Sequence, residues 1–476
     1  MKKEIVVNRT LEETKVAVLE DGKLFDLFIE RRESEKILNN IYKGTVQGIV
    51  PALESAFVDI GFSKGAYLGV DDIITQHHEK KNIENMIKIG QEVMVQVYKE
   101  PINTKGSKVT MDISLPGRLL VYMPFSNNVG ISKNIEDREE YDRLKTIVTK
   151  IKKDMPGGII VRTEAEEATE TEIRNEIKHL TRLWSAISER FAGAKPMSLI
   201  HKDLGIVSQT IRDYFTDDVV IIHTDSPKEL KEATEFVKIV SPEFSDRIAL
   251  YDGKVPIFKA YGIEEEIKKL RSNIARLQSG GYLIIQEAES LCAIDVNSGK
   301  FTSKSSQEDT AALTNLEAAE EVARQLRLRN IGGIIVIDFI DMKKASNRQK
   351  ILEKLREAAK GDKAKIKIWP ITRLGLIEMT RQRKRESLFS LLGDTCPVCR
   401  GLGLVLSKES VFINVCDEIV PLKVDCYHGK IKIKINPDVV EYFKERKNRL
   451  RELFNAEFDI QASTEIPREE YQIIFE

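Results

Sequence analysis

Two stretches of this chain, SLCAIDVNSGK at 290–300 and IGGIIVIDFIDM at 331–342, each read as an apolar strand that runs into polar residues. The first places Asp295 and Asn297 after its apolar run, and the second carries Asp338 at its end. A long helical stretch separates them, which predicts a crossover helix that brings the two acidic strands side by side. Carboxylates with an amide beside them are oxygen ligands that suit Mg²⁺ bound to a phosphate. The pattern therefore predicts a metal-dependent enzyme that acts on phosphates.

The composition fits a large soluble globular protein of several domains, with 476 residues, 42% hydrophobic and 31% charged. No apolar run reaches the ~18–20 residues of a membrane helix, and the N-terminal MKKEIVVNRT turns polar too soon for a secretory signal. Five cysteines in a chain of this length favour a reducing cytoplasm over a disulfide framework. The net charge of −1 says nothing about partners, because a nucleic-acid enzyme needs only a basic track.

In the first segment, 1–37, apolar and polar residues alternate, which predicts two or three short strands. A sheet of that size is too small to be stable alone. VVIIHTD at 219–225 reads as the continuation of that sheet, so we expect one domain interrupted by an insertion. Residues 38–115 hold five candidate strands separated by glycines and short polar loops. Five such strands predict an OB-type barrel.

Phe57 and Tyr67 fall on neighbouring strands of the predicted barrel, and Lys105 lies in the loop TKGSK. Bases stack on exposed aromatic rings of such barrels, and a loop lysine can contact phosphate. The alternative is that both aromatic residues belong to the core, and the sequence leaves the two interpretations open.

The mixed segment 116–200 contains the strand GGIIVRT, which ends with Arg162 and Thr163. An arginine beside a hydroxyl can grip a phosphate, although an exposed pair of this kind is more often a plain strand end. In the region that follows 266, we expect a hairpin, then a long helix stopped by Gly332–Gly333 and, after the second acidic strand, a further helix and strand.

CPVCRG at 396–401 has the form of a zinc knuckle, with two thiolates on a tight turn. Zinc requires four ligands, and this turn supplies Cys396 and Cys399 only. Cys416 and Cys426 are further candidates, but they lie ten residues apart inside apparent strands. The other source is the same turn of a second chain, which would make a symmetric dimer link; a redox CxxC or an unoccupied turn is the remaining alternative. The final segment, with the strands VFINVC and KIKIKINP and a charged helix, reads as a small packing or oligomerisation domain.

Four stretches together resemble the ribonuclease E/G family: AIDVNSGK, TNLEAAEEVARQLRLRNIGGIIVIDFIDM, ITRLGLIEMTRQR and CPVC. The resemblance covers nearly the whole chain and is strongest to the shorter G-type members, which lack a long disordered tail. It implies a multidomain α/β fold. Its domains would be, in chain order, the first part of a split RNase H-like domain (1–37), an S1 RNA-binding OB-fold (38–115), a 5′-sensor region (116–200), the second part of the RNase H-like domain (201–265), a DNase I-like catalytic domain (266–390), a zinc link (391–402) and a small C-terminal α+β oligomerisation domain (403–476).

The resemblance also implies roles for individual residues of this sequence. Asp295 and Asp338 match the Mg²⁺ ligands and Asn297 the asparagine that orients the attacked phosphate or water, whereas Asp341 is not a ligand. The remaining matches are Phe57, Tyr67 and Lys105 for gripping RNA, Gly117, Val121, Arg162, Thr163 and Arg373 for sensing a 5′-monophosphate, and Cys396 and Cys399 for a Zn²⁺ shared between two subunits. Tyr67 and Leu374 stand where phenylalanine is usual in the family.

The implied activity is Mg²⁺-dependent hydrolysis of single-stranded RNA to 5′-phosphate and 3′-hydroxyl ends, with a preference for 5′-monophosphorylated RNA. The family's roles lie in rRNA processing and mRNA decay in the cytoplasm. Its partners would be RNA and a second copy of the chain joined through zinc, with a tetramer if such dimers pair. The competing hypothesis is an S1-type RNA-binding protein or scaffold that performs no chemistry.

Overall fold

The computed structural model describes residues 2–31, 37–74, 83–100, 106–133, 135, 137–153, 155–216, 218–299, 306–383, 385–420 and 430–475. The chain divides into two compact units, Met1–Arg385 and Glu386–Glu476, which are described separately below. Both combine helices with sheets, which confirms a multidomain α/β protein. Among the described residues, no helix has the length and apolar character needed to cross a membrane.

The strands of the first unit are β1 (Lys3–Arg9), β2 (Glu13–Glu20), β3 (Lys23–Arg31), β4 (Ile41–Val50), β5 (Ser55–Asp59), β6 (Ala66–Gly69), β7 (Glu92–Lys99), β8 (Lys108–Thr110), β9 (Leu115–Pro116), β10 (Leu120–Met123), β11 (Val129–Ile131), β12 (Gly158–Val161), β13 (Ser198–His201), β14 (Val219–Thr224), β15 (Ile248–Leu250), β16 (Ile274–Arg276), β17 (Tyr282–Glu287), β18 (Leu291–Asn297), β19 (Gly333–Asp338), β20 (Ile366–Ile368) and β21 (Leu376–Arg381). Its α-helices are α1 (Ile83–Met86), α2 (Arg138–Lys152), α3 (Glu170–Gly193), α4 (Ile206–Tyr214), α5 (Pro227–Val240), α6 (Ile257–Ala260), α7 (Ile263–Leu270), α8 (Gln307–Leu328) and α9 (Ala345–Ala359).

The N-terminal strands and a much later segment share one sheet, in the order β15-β14-β1-β2-β3. β1 to β3 form an antiparallel meander, and β14 pairs with β1 in parallel. The sheet is covered by α4 and α5, whose buried apolar residues pack with those of β1 and β2. The chain between β3 and α4 is therefore an insertion into this layer.

The insertion begins with a closed five-stranded barrel in the order β4-β5-β6-β8-β7, which β4 closes by pairing with β7. β13 pairs with the first residues of β4, before the part of β4 that pairs with β5. At Gly44 a Cβ atom would come within 2.4 Å of Val58 Cγ1, so the close approach inside the barrel requires glycine there. The barrel is consistent with an S1-like OB fold, which confirms the five-strand prediction for this segment.

A second sheet of the insertion runs β11-β12-β10-β9 and packs against α2 and α3. Each of these helices begins at a side-chain cap. Asp137 accepts hydrogen bonds from the backbone of Glu139 and Glu140, while Thr169 and Glu172 form a capping box. The starts of both helices are thus fixed by local hydrogen bonds.

The sheet that carries the acidic strands runs β16-β17-β18-β19-β21-β20. β18 and β19 are parallel neighbours joined by α8, and α8 packs against α9. α8 ends at Leu328 and not at the glycines, because Asn330 takes the left-handed conformation (φ 49°) two residues later. The prediction that the helix continues to Gly332–Gly333 was therefore wrong, because the helix ends about three residues earlier.

The second unit contains α10 (Leu388–Leu392), α11 (Lys408–Ile419), α12 (Pro437–Glu445) and α13 (Lys447–Phe454), with β22 (Lys430–Ile435), β23 (Glu457–Ala462) and β24 (Tyr471–Phe475) in the order β23-β22-β24. The stretch VFINVC, predicted as a strand, lies in α11. Val411, Val415 and Ile419 recur at helical spacing and pack into the core of this unit. The charged segment predicted as one helix is divided at Arg446 into α12 and α13.

Candidate functional site

Asp295 and Asp338 lie directly opposite each other on the parallel strands β18 and β19. Side chains alternate along each strand, so Cys292, Ile294 and Ile337 are buried under the helices, whereas Asp295 and Asp338 face solvent. The structure thus brings the two sequence-predicted carboxylates together on the open face of the sheet.

Asn297 lies two residues after Asp295 at the end of β18 and shares its side of the strand. Its Nδ2 donates a hydrogen bond to Asp295 Oδ2 at 2.7 Å. The contact orients the amide and leaves the Asn297 carbonyl oxygen available to a ligand. The acid and the amide therefore form one polar cluster.

The charge at this edge is strongly negative. Burial raises the pKa of Asp338, and the neighbouring carboxylates of Asp295 and Asp341 raise it further. Like charges held close together are stabilised in their ionised form by a bound cation. The oxygen donors fit Mg²⁺, which is bound by one or two carboxylates and completes its shell with water and phosphate oxygens. No cluster of three or more metal-ligating side chains occurs within the described residues, so protein ligands alone do not make a closed cage.

Asn315 of α8 is a residue of this site that the sequence interpretation missed. Its side chain is fully buried (0% exposed) and bonds both backbone groups of Ile340: Nδ2 donates to the carbonyl at 2.7 Å, and Oδ1 accepts from the N–H at 3.0 Å. β21 pairs with β19 only as far as Asp338, so Asn315 takes the place of a neighbouring strand beyond that point. An asparagine on the apolar face of a predicted helix was the available signal.

Glu308, in the first turn of α8, holds the loop that follows Asp341. Its carboxylate accepts hydrogen bonds from the backbone N–H groups of Lys343 and Lys344 and from Asn347 Nδ2. Asn315 and Glu308 of α8 therefore hold the chain that follows β19 at two successive points.

On the barrel, Phe57 of β5 and Tyr67 of β6 are register partners with rings 6.2 Å apart in an edge-to-face arrangement. Their strand neighbours Ala56, Val58 and Leu68 are fully buried, whereas Phe57 and Tyr67 are only half-buried. The structure thus places both rings on the outer face of the barrel and excludes the core interpretation.

Two further side chains extend this aromatic surface. The Lys108 ammonium lies 5.1 Å from the centre of the Tyr67 ring. The exposed Tyr98 bonds Asp72 at 3.3 Å; burial, Asp72 and the nearby Tyr67 raise the pKa of Tyr98. Neither was singled out from the sequence. The predicted contact Lys105 lies outside the described residues.

Four of the five predicted sensor residues come together where β10 and β12 meet. Val121 pairs with Ile160 on β12. The Arg162 guanidinium donates from Nη1 to the Gly117 carbonyl at 2.6 Å, and Thr163 Oγ1 lies 3.0 Å from Ser132 Oγ. These contacts join a backbone turn, a guanidinium and a hydroxyl in one small area.

The turn at Gly117 is held by the buried Glu176 of α3. This carboxylate accepts hydrogen bonds from the backbone N–H groups of Arg118, Leu119 and Leu120. A Cβ at Gly117 would come within 2.7 Å of the Glu176 carboxyl, which explains the glycine. Burial raises the pKa of Glu176, although the backbone hydrogen bonds and Arg118 oppose that rise.

Arg373, the fifth predicted sensor residue, lies exposed in the turn between Thr372 and Gly375, just before β21. This turn is at the acidic edge: Leu376 pairs with Asp338, and a Cβ on Gly375 would lie 3.6 Å from Asp341 Oδ1. Arg373 is therefore placed beside the acidic edge, whereas the other four predicted sensor residues lie where β10 and β12 meet.

The residue that reaches the Arg162 area from the region of the acidic sheet is Lys363. Its ammonium bonds Glu164 Oε1 at 2.9 Å, and Glu164 Oε2 lies 3.4 Å from Arg162 Nε. Lys363 precedes β20 in sequence and offered no motif by which it could have been found.

In the second unit, Cys396 and Cys399 share one tight turn, in which Arg400 N–H donates to the Cys396 carbonyl and Leu402 N–H to that of Cys399. Backbone N–H groups of Gly403 and Gly401, together with the Cys396 thiol, lower the pKa of Cys399, which favours the thiolate that zinc binds. Cys416, proposed as a further ligand, lies on α11 against the core. Burial raises its pKa. Cys426 is outside the described residues.

The chain is similar to known proteins over most of its length. The profile of the Ribonuclease E/G family matches residues 114–384. Ribonuclease G of Haemophilus influenzae is 39% identical over 449 residues, 92% of this chain and 91% of the relative. Ribonuclease G of Escherichia coli K12 is 37% identical over 454 residues, 93% of each chain. Ribonuclease E of the same strain is 39% identical over 87% of this chain but only 40% of the relative. With this extent of matching, the chain belongs to the ribonuclease E/G family and is most similar to its ribonuclease G members.

Proposed function

We propose that this protein is an endoribonuclease that hydrolyses single-stranded RNA with the help of Mg²⁺ and takes part in rRNA processing, mRNA decay or both. Membership of the ribonuclease E/G family supports the endoribonuclease activity. The assignment of the active site rests on the direct pairing of Asp295 with Asp338 on an exposed face of the sheet. We expect the enzyme to act in the cytoplasm.

In this proposal Asp295 and Asp338 hold the metal ion, and Asn297 orients the scissile phosphate or the attacking water through the amide oxygen that its bond to Asp295 leaves available. Bound Mg²⁺ supplies a Lewis acid for the phosphate and a water of lowered pKa. Hydrolysis of the P–O3′ bond leaves a 5′-phosphate and a 3′-hydroxyl. This route does not use the RNA 2′-hydroxyl as nucleophile.

The barrel supplies the preference for single strands. Phe57 and Tyr67 present ring faces and edges on the outer surface, and Lys108 adds a positive charge beside Tyr67. Unpaired bases can stack on such rings while lysines contact the backbone, and a duplex offers no free base faces. We retain Lys105 as a further phosphate contact on the strength of the family resemblance.

A 5′-monophosphate would bind at Arg162 and Thr163, beside the Gly117 turn and Val121. Its capture would tether the strand and raise its local concentration at the acidic edge. We keep Arg373 in this proposal as the resemblance implied, although its position in the fold suits a contact with RNA near Asp338 equally well.

The family's domain names belong to the same proposal. The split sheet with α4 and α5 would be the RNase H-like domain, the barrel the S1 domain, the layer with α2 and α3 the 5′ sensor, and the six-stranded sheet the DNase I-like domain. Cys396 and Cys399 would bind half of a Zn²⁺ site completed by a second subunit, with the small α+β domain supporting oligomerisation. Replacing both cysteines with serine should remove zinc and dissociate the dimer in analytical ultracentrifugation; an unchanged mass contradicts the link.

The central test compares Asp338→Asn with Asp341→Asn on a single-stranded, AU-rich RNA in the presence of Mg²⁺ or EDTA. We expect metal-dependent cleavage by the parent protein, loss of cleavage with retained RNA binding in Asp338→Asn, and substantial activity in Asp341→Asn. Full activity of Asp338→Asn removes the site assignment. Binding without any metal-dependent cleavage by the parent protein favours the alternative of a non-catalytic S1-type scaffold.

A further inference from the structure

The guanidinium of Arg162 is held by a carboxylate from a different layer of the fold. Asp213 lies on α4, which covers the sheet of the N-terminal strands, and its Oδ1 accepts from Arg162 Nη2 at 3.0 Å. Together with the bond from Nη1 to the Gly117 carbonyl, this contact fixes the plane of the guanidinium. The side chains of Arg162 and Asp213 are 22% and 25% exposed, so solvent still reaches the pair.

Asp213 binds a second arginine at the same time. Arg212 donates from Nε to Asp213 Oδ1 at 3.1 Å and from Nη2 to Oδ2 at 3.2 Å. Burial alone would raise the pKa of Asp213, but Arg212 and Arg162 lower it to about 2. The carboxylate is therefore ionised across the whole neutral range, and two arginines share its charge.

Arg212 has one guanidinium nitrogen that is not used in these contacts. Its side chain is 10% exposed, and its Nη1 atom is buried without a hydrogen-bond partner among the residues that the structure describes. A buried guanidinium nitrogen of this kind retains unused donor capacity. Because Arg212 and Arg162 contact the same oxygen of Asp213, the two guanidinium groups are close neighbours.

Arg162 lies in an alternating chain of charges, which runs Lys363, Glu164, Arg162, Asp213 and Arg212, linked successively by ion pairs. These five groups carry a net charge of +1, while Asp203, Glu176 and Arg385 also act electrostatically on Arg212 or Asp213. A terminal monophosphate carries about −1.5 to −2 at neutral pH. A triphosphate carries more negative charge than a monophosphate, and it would lie close to the carboxylates of Glu164 and Asp213.

We propose that Asp213 is a specificity-determining residue of the 5′-end site: it positions Arg162 for one phosphate group, and its negative charge disfavours a 5′-triphosphate. The inference rests on the proposed 5′-monophosphate preference. Asp213 does not need to touch the RNA for this role, because it acts through Arg162 and through its field. Removing its charge while keeping its shape should relax the discrimination between one and three phosphates.

The experiment measures kcat/KM for three RNAs of identical sequence with a 5′-monophosphate, a 5′-hydroxyl or a 5′-triphosphate. The parent protein is compared with Asp213→Asn, Asp213→Glu and Asp142→Asn. Asp142 is the matched control, since it lies on α2 with a side chain 58% exposed and pairs only with Arg138 among the described ion pairs. All values are expressed as ratios between RNAs, so a general loss of activity does not affect the result.

In the parent protein we expect the monophosphate RNA to be preferred over both others. Asp213→Asn should raise the triphosphate-to-monophosphate ratio about tenfold, while Asp213→Glu, which restores the charge, and Asp142→Asn should leave that ratio near the parent value. If the parent already treats monophosphate and hydroxyl RNA alike, the proposed sensor fails. If the parent prefers monophosphate but Asp213→Asn leaves the triphosphate ratio unchanged, the role of Asp213 is overturned.

Thermal unfolding of each variant shows whether it is folded at the assay temperature. Should Asp213→Asn be unfolded, Glu164→Gln provides the same test, because Glu164 is the other carboxylate beside Arg162. Its triphosphate ratio must also rise, and an unchanged ratio in a folded Glu164→Gln protein overturns the charge argument.

Discussion

The acidic edge of the sheet and the cluster of charged side chains around Arg162 differ in how their charges are arranged. At the edge, Asp295, Asp338 and Asp341 gather charge of one sign on an open face. Burial raises the pKa of Asp338, and the two neighbouring carboxylates raise it further. Around Arg162, cations and carboxylates alternate and nearly neutralise one another. The first arrangement suits a divalent cation, and the second suits recognition of one anion of limited charge. In the proposed function, the first region would carry the chemistry and the second would recognise the 5′ end of the RNA.

Asp295→Asn and Arg162→Ala test this separation most strongly. We expect Asp295→Asn to lower kcat on the order of 10³-fold for RNA with any 5′ end, a loss typical of removing a main electrostatic group. Arg162→Ala should lower activity about tenfold, and only on monophosphorylated RNA, because a charge-assisted contact is lost. Rates on matched RNAs in single-turnover assays give both values. An equal loss on 5′-hydroxyl RNA in Arg162→Ala would mean that the two regions are not separate.

Asn315→Ala should disturb the backbone beside the acidic edge and leave the charges of its carboxylates unchanged. The N–H and carbonyl of Ile340 lose their buried partner, which costs about 3 kcal/mol of unfolding free energy. We expect the Mg²⁺ concentration for half-maximal activity to rise about tenfold, because the backbone just after Asp338 loses the bonds that hold it. Gln349→Ala, which removes an exposed amide bonded to Glu353, serves as control. A stability loss with an unchanged Mg²⁺ curve would confine Asn315 to a purely structural role.

Phe57→Ala tests the aromatic surface of the barrel, which in the proposed function holds the RNA strand for both sites. Loss of one stacked base costs about 1–3 kcal/mol, so we expect binding of single-stranded RNA in EDTA to weaken by roughly tenfold. Phe62→Ala is the matched control, because Phe62 is also exposed but packs against Tyr42. Equal effects of both substitutions on fluorescence-anisotropy titrations would argue against a specific platform at Phe57 and Tyr67.

The smallest expected effect concerns acid stability. Folding lowers the pKa of Asp213 to about 2, so its ionised form stabilises the fold above the ordinary aspartate pKa, and this contribution is lost as pH falls from about 4 to about 2. We expect Asp213→Asn to unfold about 2 kcal/mol more easily at pH 7 and the gap to shrink by about half at pH 3. Denaturant unfolding at both pH values measures it. A gap that does not change with pH would show that shape, and not charge, dominates at Asp213.

Much of this architecture followed from local patterns. Five short strands over residues 38–115 predicted a barrel, and the structure closes it by pairing β4 with β7. The strand, helix and strand pattern predicted that Asp295 and Asp338 lie side by side, and in the structure they are direct partners on parallel strands. The prediction of a strand for the stretch VFINVC was wrong because its pattern is ambiguous. A short apolar run has no unique period, and in the fold Val411, Val415 and Ile419 line one side of a helix.

The sequence by itself determined the motifs: the acid-tipped strands, the aromatic pair, the arginine-threonine strand end and the CPVC turn. Each is encoded within a few residues, since strand alternation and turn geometry act locally. Only the tertiary structure decided that Asp213 and Lys363 meet around Arg162 and Glu164, and that Asn315 bonds Ile340. Those contacts join residues 25 to 199 positions apart. Ion pairs and buried hydrogen bonds of this range leave no periodic trace in the chain, because they depend on how separate layers pack and not on the order of residues within one element.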